Sequence, residues 1–240
     1  MSVKTLLENG KRKIAWLCDP DKTNGDSLLY TAKIAQEADV DIILVGGSHL
    51  QQGKIEQCIN TIKSVCNIPI TLFPGNSMQI CNHADAILFL SLISGRNADL
   101  LIGQHVNVAY QLHESNMEVI PTGYMLIDSG QPTSVSYISN TMPIPRDKTD
   151  IAVSTALAGK LLGLQAIYLE AGSGASLTVP YRMIKAIKEK VQLPLIVGGG
   201  ICNIHTARSI VQSGADMIVI GNAVEENPKC LLEIAPLIKN

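Results

Sequence analysis

The sequence predicts a closed (β/α)8 barrel, and three observations lead to this fold class. The chain has 240 residues, close to the roughly 250 that such a barrel needs. Hydrophobic residues make up 46% of it and charged residues only 17%, below the usual ~25%, so a large core can form. Short apolar runs alternate with segments of helical period along the whole chain, as in repeated βα units. We therefore expect one barrel domain over residues 1–240.

Eight apolar runs are nearly continuous, which is typical of parallel strands buried on both faces. The predicted strands are Lys13–Cys18, Asp41–Val45, Pro69–Phe73, Ala86–Leu92, Glu118–Ile127, Gln165–Glu170, Leu193–Val197 and Asp216–Ile220. The predicted helices are Ser27–Ala38, Ile55–Val65, Leu100–His113, Ile151–Leu162, Pro180–Val191, Asn203–Ser213 and Pro228–Ile238. Eight strands in a chain of this length favour a closed barrel over an open sheet.

Two connections depart from the regular pattern. The segment between the third and fourth predicted strands is short, so we expect the helix near residues 76–85 to be missing or replaced. The region Ser129–Lys148 is irregular and contains three prolines. Long loops in compact domains are often functional, and we expect this one to form a lid or a substrate rim.

Composition restricts the partners and the location. The net charge of −2 provides no electrostatic footprint for nucleic acid. The longest apolar stretch, Ala86–Ile93, is far shorter than the ~18 residues that span a bilayer, so no stable membrane insertion is expected. The six cysteines form no CxxC pair and follow no secretory leader, which favours reduced thiols, no zinc, no disulfides and a cytoplasmic location.

Glycine clusters directly follow the last three predicted strands, at Ala171–Gly174, Gly198–Gly200 and Gly221–Asn222. Glycine has no Cβ, so its backbone N–H groups can approach phosphate oxygens closely. In barrels of this type, the loops after strands 7 and 8 commonly bind phosphate. Ordinary tight turns would explain one such cluster, whereas three in succession predict a phosphate site.

An acidic sequence, Asp19-Pro20-Asp21-Lys22, follows the first predicted strand, and Ser48 follows the second. Carboxylate and hydroxyl oxygens at the barrel mouth suit Mg²⁺, a hard cation that often also contacts substrate phosphates. An Asp-Pro turn, in which Asp21 caps the next helix or pairs with Lys22, fits the same residues. The residues alone leave both interpretations open.

Tyr168 and Glu170 lie on the same side of the sixth predicted strand, because strand side chains alternate. A carboxylate at a strand end in an apolar cavity is a candidate general base. The alternative is a structural acid paired with a barrel lysine or arginine. Neither a Ser/His/Asp arrangement nor an HExxH motif is present, so the sequence does not support a hydrolase.

In order along the chain, Leu17–Lys22, Gly46–Ser48, Tyr168–Gly174, Gly198–Ile201 and Gly221–Asn222 together resemble the geranylgeranylglyceryl phosphate synthases. The resemblance extends over essentially the whole chain. It implies a prenyltransferase that joins sn-glycerol 1-phosphate to a long-chain prenyl diphosphate, such as geranylgeranyl diphosphate, and forms an ether and diphosphate.

The resemblance also implies roles for individual residues. Asp19 and Ser48 would hold Mg²⁺ against the diphosphate, and Glu170 would act as the catalytic base. The glycerol phosphate would contact Tyr168, Leu169, Glu170, Ala171, Gly172, Ser173, Gly174, Gly199, Gly200, Gly221 and Asn222. Some members of this family carry a basic residue where Leu17 stands here, so Lys22 or Arg96 would have to supply the basic contact.

Two other classes of function share parts of this pattern. One is another phosphate-binding barrel enzyme, either a sugar-phosphate isomerase or epimerase or an aldolase. An aldolase needs a Schiff-base lysine at a strand end, and we expect no strand to carry an interior lysine. The other is a non-catalytic phospho-ligand-binding barrel, for which Asp19 and Glu170 would be unnecessary.

The predicted outer helix Leu100–His113 is apolar enough for us to expect a homo-oligomer.

Overall fold

The computed structural model describes residues 2–51 and 54–239, and their eight parallel strands form one closed barrel in chain order. The strands are β1 (Lys13–Cys18), β2 (Ile42–Val45), β3 (Ile70–Leu72), β4 (Ala86–Leu92), β5 (Glu118–Leu126), β6 (Ala166–Glu170), β7 (Leu195–Gly198) and β8 (Met217–Ile220). Because β1 pairs with β8, the sheet has no free edge. The predicted fold class is confirmed; residues 1, 52, 53 and 240 of the predicted domain lie outside the described residues.

Helices surround the barrel. They are α1 (Val3–Glu8), α2 (Gly25–Glu37), α3 (Ile55–Lys63), α4 (Gln104–Glu114), α5 (Ser134–Ser139), α6 (Thr149–Leu161), α7 (Tyr181–Val191), α8 (Ile204–Gln212), α9 (Asn222–Glu226) and α10 (Cys230–Lys239). Each predicted helix is present, with ends that differ by a few residues. Within the described ranges, no helix combines the length and the apolarity needed to cross a bilayer.

The strands divide the core into two layers because successive side chains point to opposite faces. In β1, Ala15 faces the barrel interior, while Ile14 and Trp16 pack in the layer between the barrel and the helices. All three are essentially inaccessible to solvent. Burial of both faces explains why the strands read as continuous apolar runs.

The predicted absence of a helix between β3 and β4 is confirmed. A single 3₁₀ turn, Ser77–Gln79, stands in its place. Pro74 and Gly75 precede this turn and disfavour a longer helix. On this side the barrel therefore has no full covering helix, and the space beside β4 is open to a ligand.

Two short helices, α1 and α5, were not predicted because neither is long enough to show an apolar period. Tertiary contacts and caps stabilise both. The backbone N–H of Val3 in α1 donates to the distant Glu118 carboxylate over 2.7 Å. Thr133 and Ser136 form a capping box at the start of α5, which gives the Ser129–Lys148 region a folded centre.

The predicted helix Leu100–His113 begins as a π-helical turn, Asp99–Gly103, and continues as α4. Val106 and Tyr110 on α4 are strongly exposed. Exposed large apolar side chains on one helix face are often contact surfaces, and the homo-oligomer stays a prediction.

Candidate active site

A cavity of about 390 Å³ opens at the carboxyl ends of the strands. It brings together residues from the loops after β1, β2, β6, β7 and β8. The predicted site residues that line it are Asp19, Lys22, Ser48, Tyr168, Glu170, Gly172, Ser173, Gly174, Gly199, Gly200, Gly221 and Asn222. Parallel strands end on the same face of a barrel, so residues far apart in sequence meet here.

Two predicted contacts, Leu169 and Ala171, do not line this cavity. Both side chains pack in the outer layer beneath the helices, because strand alternation turns them away from Tyr168 and Glu170. The backbone N–H of Ala171 is also occupied, since it donates to the carbonyl of Gly198 over 3.1 Å. For these two residues the expected contact with the ligand is not supported by their orientation.

Glu170 at the end of β6 is buried, with 6% of its surface exposed. Its Oε1 accepts a hydrogen bond from the backbone N–H of Gly172 at 2.6 Å. Burial raises the pKa of Glu170 to about 7, although the Gly172 N–H and the Tyr168 hydroxyl both act to lower it. A carboxyl group with such a pKa exchanges protons near neutral pH, as a general base requires.

The Tyr168 hydroxyl is buried and, among the described residues, has no hydrogen-bond partner of standard geometry. It nevertheless lies close enough to Glu170 to influence the pKa of that carboxyl. A Cβ placed on Gly198 would lie 2.4 Å from the Tyr168 hydroxyl and 3.1 Å from Oε2 of Glu170. The phenol and Oε2 therefore lie together at the β7 side of the cavity, where a ligand hydroxyl could reach both.

Gly199 allows the loop after β7 to approach this carboxylate. It has a φ of +85°, and a Cβ there would lie 2.5 Å from Oε1 of Glu170 and 2.7 Å from the Gly172 nitrogen. Any other residue would push these groups apart. The loops after β6 and β8 are also joined, because Ser173 Oγ donates to Asn222 Oδ1 at 2.8 Å. Direct contacts thus hold the predicted phosphate site together.

The acidic sequence after β1 forms a turn in which Asp19 Oδ1 accepts from the Asp21 N–H at 3.0 Å. Lys22 does not pair with Asp21; its Nζ lies 3.8 Å from Asp19 Oδ2 and 3.3 Å from Glu225 Oε2. Asp21 does not cap the next helix, which begins after Asn24. Its carboxylate accepts from the Gln51 N–H instead.

Asp19 and Ser48 both line the cavity. A Cβ on Gly47 would lie 3.6 Å from Asp19 Oδ2, so the loop carrying Ser48 runs beside this carboxylate. Among the described residues, including those of this site, no three His, Cys, Asp or Glu side chains lie close enough together to form a metal-binding cluster. One carboxylate beside a hydroxyl fits Mg²⁺, which commonly takes one or two carboxylates, waters and substrate phosphates.

Arg96, the other basic candidate, lies outside this cavity on the far side of the β4 loop, in a surface groove against α6. Its guanidinium donates to the backbone carbonyl of Gly95 at 2.7 Å. Lys22 is therefore the candidate that the fold places at the mouth.

The expectation that no strand carries an interior lysine was wrong. Lys13 is buried in β1, but its amine bonds Asn9 and the Lys11 carbonyl at the opposite end of the barrel.

An apolar groove of about 120 Å³ continues from the cavity toward the place where the helix is missing. Gly47, Ser48, Phe73, Tyr124 and Val135 line both spaces. The groove alone is lined by Ile80, Ile87, Phe89, Leu90, Leu92, Leu100, His105, Val108 and Ile138, among others. The Ser129–Lys148 region contributes Val135 and Ile138, so it forms part of the rim, as expected.

Sequence reasoning missed Phe73, Tyr124 and His105. The chain has only two phenylalanines, six tyrosines and one tryptophan, and an aromatic residue at a strand end was a usable signal for Phe73. His105 lies on α4, and its ring meets Phe89 edge-to-face, with the centroids 4.4 Å apart. Burial lowers the pKa of His105.

The barrel and this site define a class of protein: a barrel enzyme with a buried carboxylate between a glycine-lined polar cavity and an apolar groove. The PcrB family model matches residues 8–236. The chain belongs to the PcrB family.

The chain is also similar in sequence to curated relatives over most of their length. The geranylgeranylglyceryl phosphate synthase of Spirosoma linguale is 49% identical over 96% of this chain and 93% of its own. That of Pyrococcus furiosus is 39% identical over 87% of this chain and 83% of its own. The resemblance first drawn from the motifs is confirmed.

Solved structures support the same family membership. The crystal structure of (S)-3-O-geranylgeranylglyceryl phosphate synthase from Thermoplasma acidophilum, in complex with its substrate sn-glycerol-1-phosphate, superimposes with a TM-score of 0.94 at 32% identity. It covers 100% of this chain and 99% of its own. Thiamine phosphate pyrophosphorylase from Pyrococcus furiosus, at 12% identity and a TM-score of 0.58 over 100% of both chains, shares the barrel alone.

Proposed function

We propose that the protein is a prenyltransferase that joins sn-glycerol 1-phosphate to a long-chain prenyl diphosphate, such as geranylgeranyl diphosphate. The products are a prenylglyceryl phosphate ether and diphosphate. One observation carries the proposal: the buried Glu170 lies in a polar cavity that is continuous with an apolar groove. A hydrophilic acceptor and an apolar donor need such a pair of adjoining sites. The names of the relatives and the sn-glycerol-1-phosphate complex of the Thermoplasma enzyme support the same reaction.

The acceptor fits the polar cavity. Its phosphate would lie against the glycine loops after β6, β7 and β8, where backbone N–H groups can donate to it. Because Ser173 and Asn222 hold two of these loops together, the phosphate end would be fixed at one distance from Glu170. Such positioning makes the reaction effectively unimolecular once both substrates are bound.

The proton transfer involves Glu170. Its Oε1 is occupied by the Gly172 N–H, so Oε2 is the oxygen that would accept the proton of the C3 hydroxyl. The C3 oxygen forms a bond to C1 of the prenyl chain, and the bond between C1 and the diphosphate oxygen breaks. The electron pair leaves with the diphosphate, and the proton ends on Glu170. A pKa of about 7 suits a base that must accept a proton and later release it.

The diphosphate would lie at the mouth near Asp19, Ser48 and Lys22. Asp19 and Ser48 would hold Mg²⁺ there, and the metal would neutralise charge on the leaving diphosphate. The ammonium group of Lys22 is about half exposed and already lies between two carboxylates. It could turn toward a diphosphate oxygen, and it would replace the basic contact that Leu17 cannot provide.

The activity test uses sn-glycerol 1-phosphate, Mg²⁺ and prenyl diphosphates of several chain lengths, with detection of the ether product. We expect turnover for the wild type and a loss of about 1,000-fold for Glu170→Gln. The Gln variant should still bind glycerol phosphate, measured calorimetrically, because its amide oxygen can accept from Gly172. Asp19→Ala should lose turnover and its response to Mg²⁺.

Glu189→Gln is the matched control, because it makes the same substitution at an exposed site on α7 and should retain full activity. The proposal would be overturned if no donor gave an ether, or if Glu170→Gln and Asp19→Ala turned over like the wild type.

A further inference from the structure

Three aromatic rings form one contact cluster in the barrel mouth. Phe73 follows β3, and Tyr124 and Tyr168 belong to β5 and β6. The ring of Phe73 stacks on Tyr168 with centroids 5.1 Å apart and meets Tyr124 edge-on at 5.8 Å. Tyr124 and Tyr168 lie 5.3 Å apart. All three residues are buried, so the cluster is a fixed part of the interior.

Packing alone does not require rings at this position. The deeper barrel interior is filled by aliphatic side chains such as Ile42, Leu88 and Ile196. The aromatic cluster occurs only at the layer where the cavity begins. Phe73 and Tyr124 line both the polar cavity and the apolar groove, and no other aromatic residue in the described part of the chain lines both spaces. Their placement coincides with the junction of the two proposed substrate sites.

The junction is also where C1 of the prenyl donor must lie, a step that rests on the proposed function. In the proposed reaction the diphosphate would lie at Asp19 and Ser48, the prenyl chain in the groove and the acceptor hydroxyl at Glu170. As the bond from C1 to the diphosphate breaks, positive charge develops on the allylic carbon. The face of an aromatic ring attracts a cation electrostatically and, unlike a carboxylate, offers no oxygen that could capture the carbon.

We propose that Phe73 and Tyr124 are catalytic residues of the transfer, whose rings stabilise the positive charge that develops on C1 before the glycerol oxygen attacks. Burial and the nearby Glu170 keep the Tyr124 phenol protonated, because they raise its pKa well above the usual range. Its ring therefore contributes as a neutral aromatic surface. A desolvated ring of this kind should change the rate by about 30-fold.

The test replaces Phe73 site-specifically with mono-, di- and trifluorinated phenylalanine. Fluorine withdraws electron density from the ring and weakens its attraction for a cation, with little change in size. We expect log kcat to fall linearly with the number of fluorines, to a total loss of about 30-fold. The KM for glycerol phosphate should stay within about twofold, because the phosphate loops follow β6, β7 and β8 whereas Phe73 follows β3.

Phe89 is the matched control because it is the other phenylalanine of the chain and lines the groove but not the junction. Because Phe89 is part of the donor groove, the same fluorinated series there should change the KM for the prenyl donor, whereas kcat should not fall with the number of fluorines. Tyr124→Phe, which keeps the ring, should retain kcat within about threefold, whereas Tyr124→Leu should lose about 30-fold.

Two outcomes overturn the inference, and they are distinct. If the wild type makes ether but kcat is independent of fluorination at Phe73, the rings do not stabilise charge and the transferase function stands. If the wild type makes no ether with any donor, the proposed function fails and the inference fails with it.

Discussion

The two halves of the site are built by different means. The glycine-lined end of the polar cavity is formed by loops after three consecutive strands and is held by backbone contacts, glycines and the Ser173–Asn222 hydrogen bond. The apolar groove is formed by side chains of β4, α4 and α5 beside a connection that lacks its helix. A phosphate requires donors at fixed positions, whereas a prenyl chain requires only apolar surface. The first half should therefore tolerate substitution less than the second.

The largest expected effect concerns the buried charge in the polar half. Because the pKa of Glu170 is raised from 4.5 to about 7 in the folded protein, the folded state binds a proton more tightly than the unfolded chain. Stability is therefore lost as pH rises from about 4.5 to about 7. Above pH 7 the buried carboxylate should lower the free energy of unfolding by about 3 kcal/mol.

Glu170→Gln should therefore be more stable than the wild type at pH 8, by up to about 3 kcal/mol, and equally stable near pH 4. Urea unfolding at both pH values measures this. Glu189→Gln, on an exposed surface, should change stability by less than about 0.5 kcal/mol at either pH. A Glu170→Gln variant that is less stable at pH 8 would show that the carboxylate is a structural partner.

A smaller effect is expected for the glycine that brings the polar loops together. Gly199→Ala places a Cβ 2.5 Å from Glu170 Oε1 and 2.7 Å from the Gly172 nitrogen. We expect the KM for glycerol phosphate to rise by about 30-fold, equivalent to about 2 kcal/mol. The KM for the prenyl donor should change little. Steady-state kinetics with each substrate varied in turn measures both.

Gly163→Ala provides the control for backbone strain. Gly163 also has a positive φ, +90°, but a Cβ there would have no atom within 4 Å. This variant should lose about 1 kcal/mol of stability and keep both KM values. If both alanine variants raised the KM for glycerol phosphate equally, the Gly199→Ala result would be due to backbone strain and not to the close contact with Glu170.

The smallest effect is expected in the groove. Leu100→Trp adds bulk to the apolar lining, and we expect the KM for a long prenyl diphosphate to rise by about tenfold, with less change for a short one. The KM for glycerol phosphate should be unchanged, because Leu100 does not line the polar cavity. An equal loss for both donors, or a loss of glycerol phosphate affinity, would show that the two halves are not independent.

Local sequence patterns predicted the regular parts of the molecule well. The strand that ends at Glu170 and the glycine clusters after the last three strands were visible because their signals are contained in a few neighbouring residues. The missing helix was visible because Pro74 and Gly75 leave too little chain for one. Short helices such as α1 and α5 were not, since they are stabilised by Glu118 and by a capping box and not by an apolar period.

By itself, the sequence determined the barrel, the glycine-lined end of the site and the candidate base, because alternation, chain length and backbone freedom are properties of local segments. Only the tertiary structure decided that Leu169 and Ala171 face away from the site, that Arg96 is remote and that Lys22 lies between Asp19 and Glu225. It also decided that Phe73 and Tyr124 meet where the two spaces join. These are relations between side chains from different strands, and closure of the barrel fixes them.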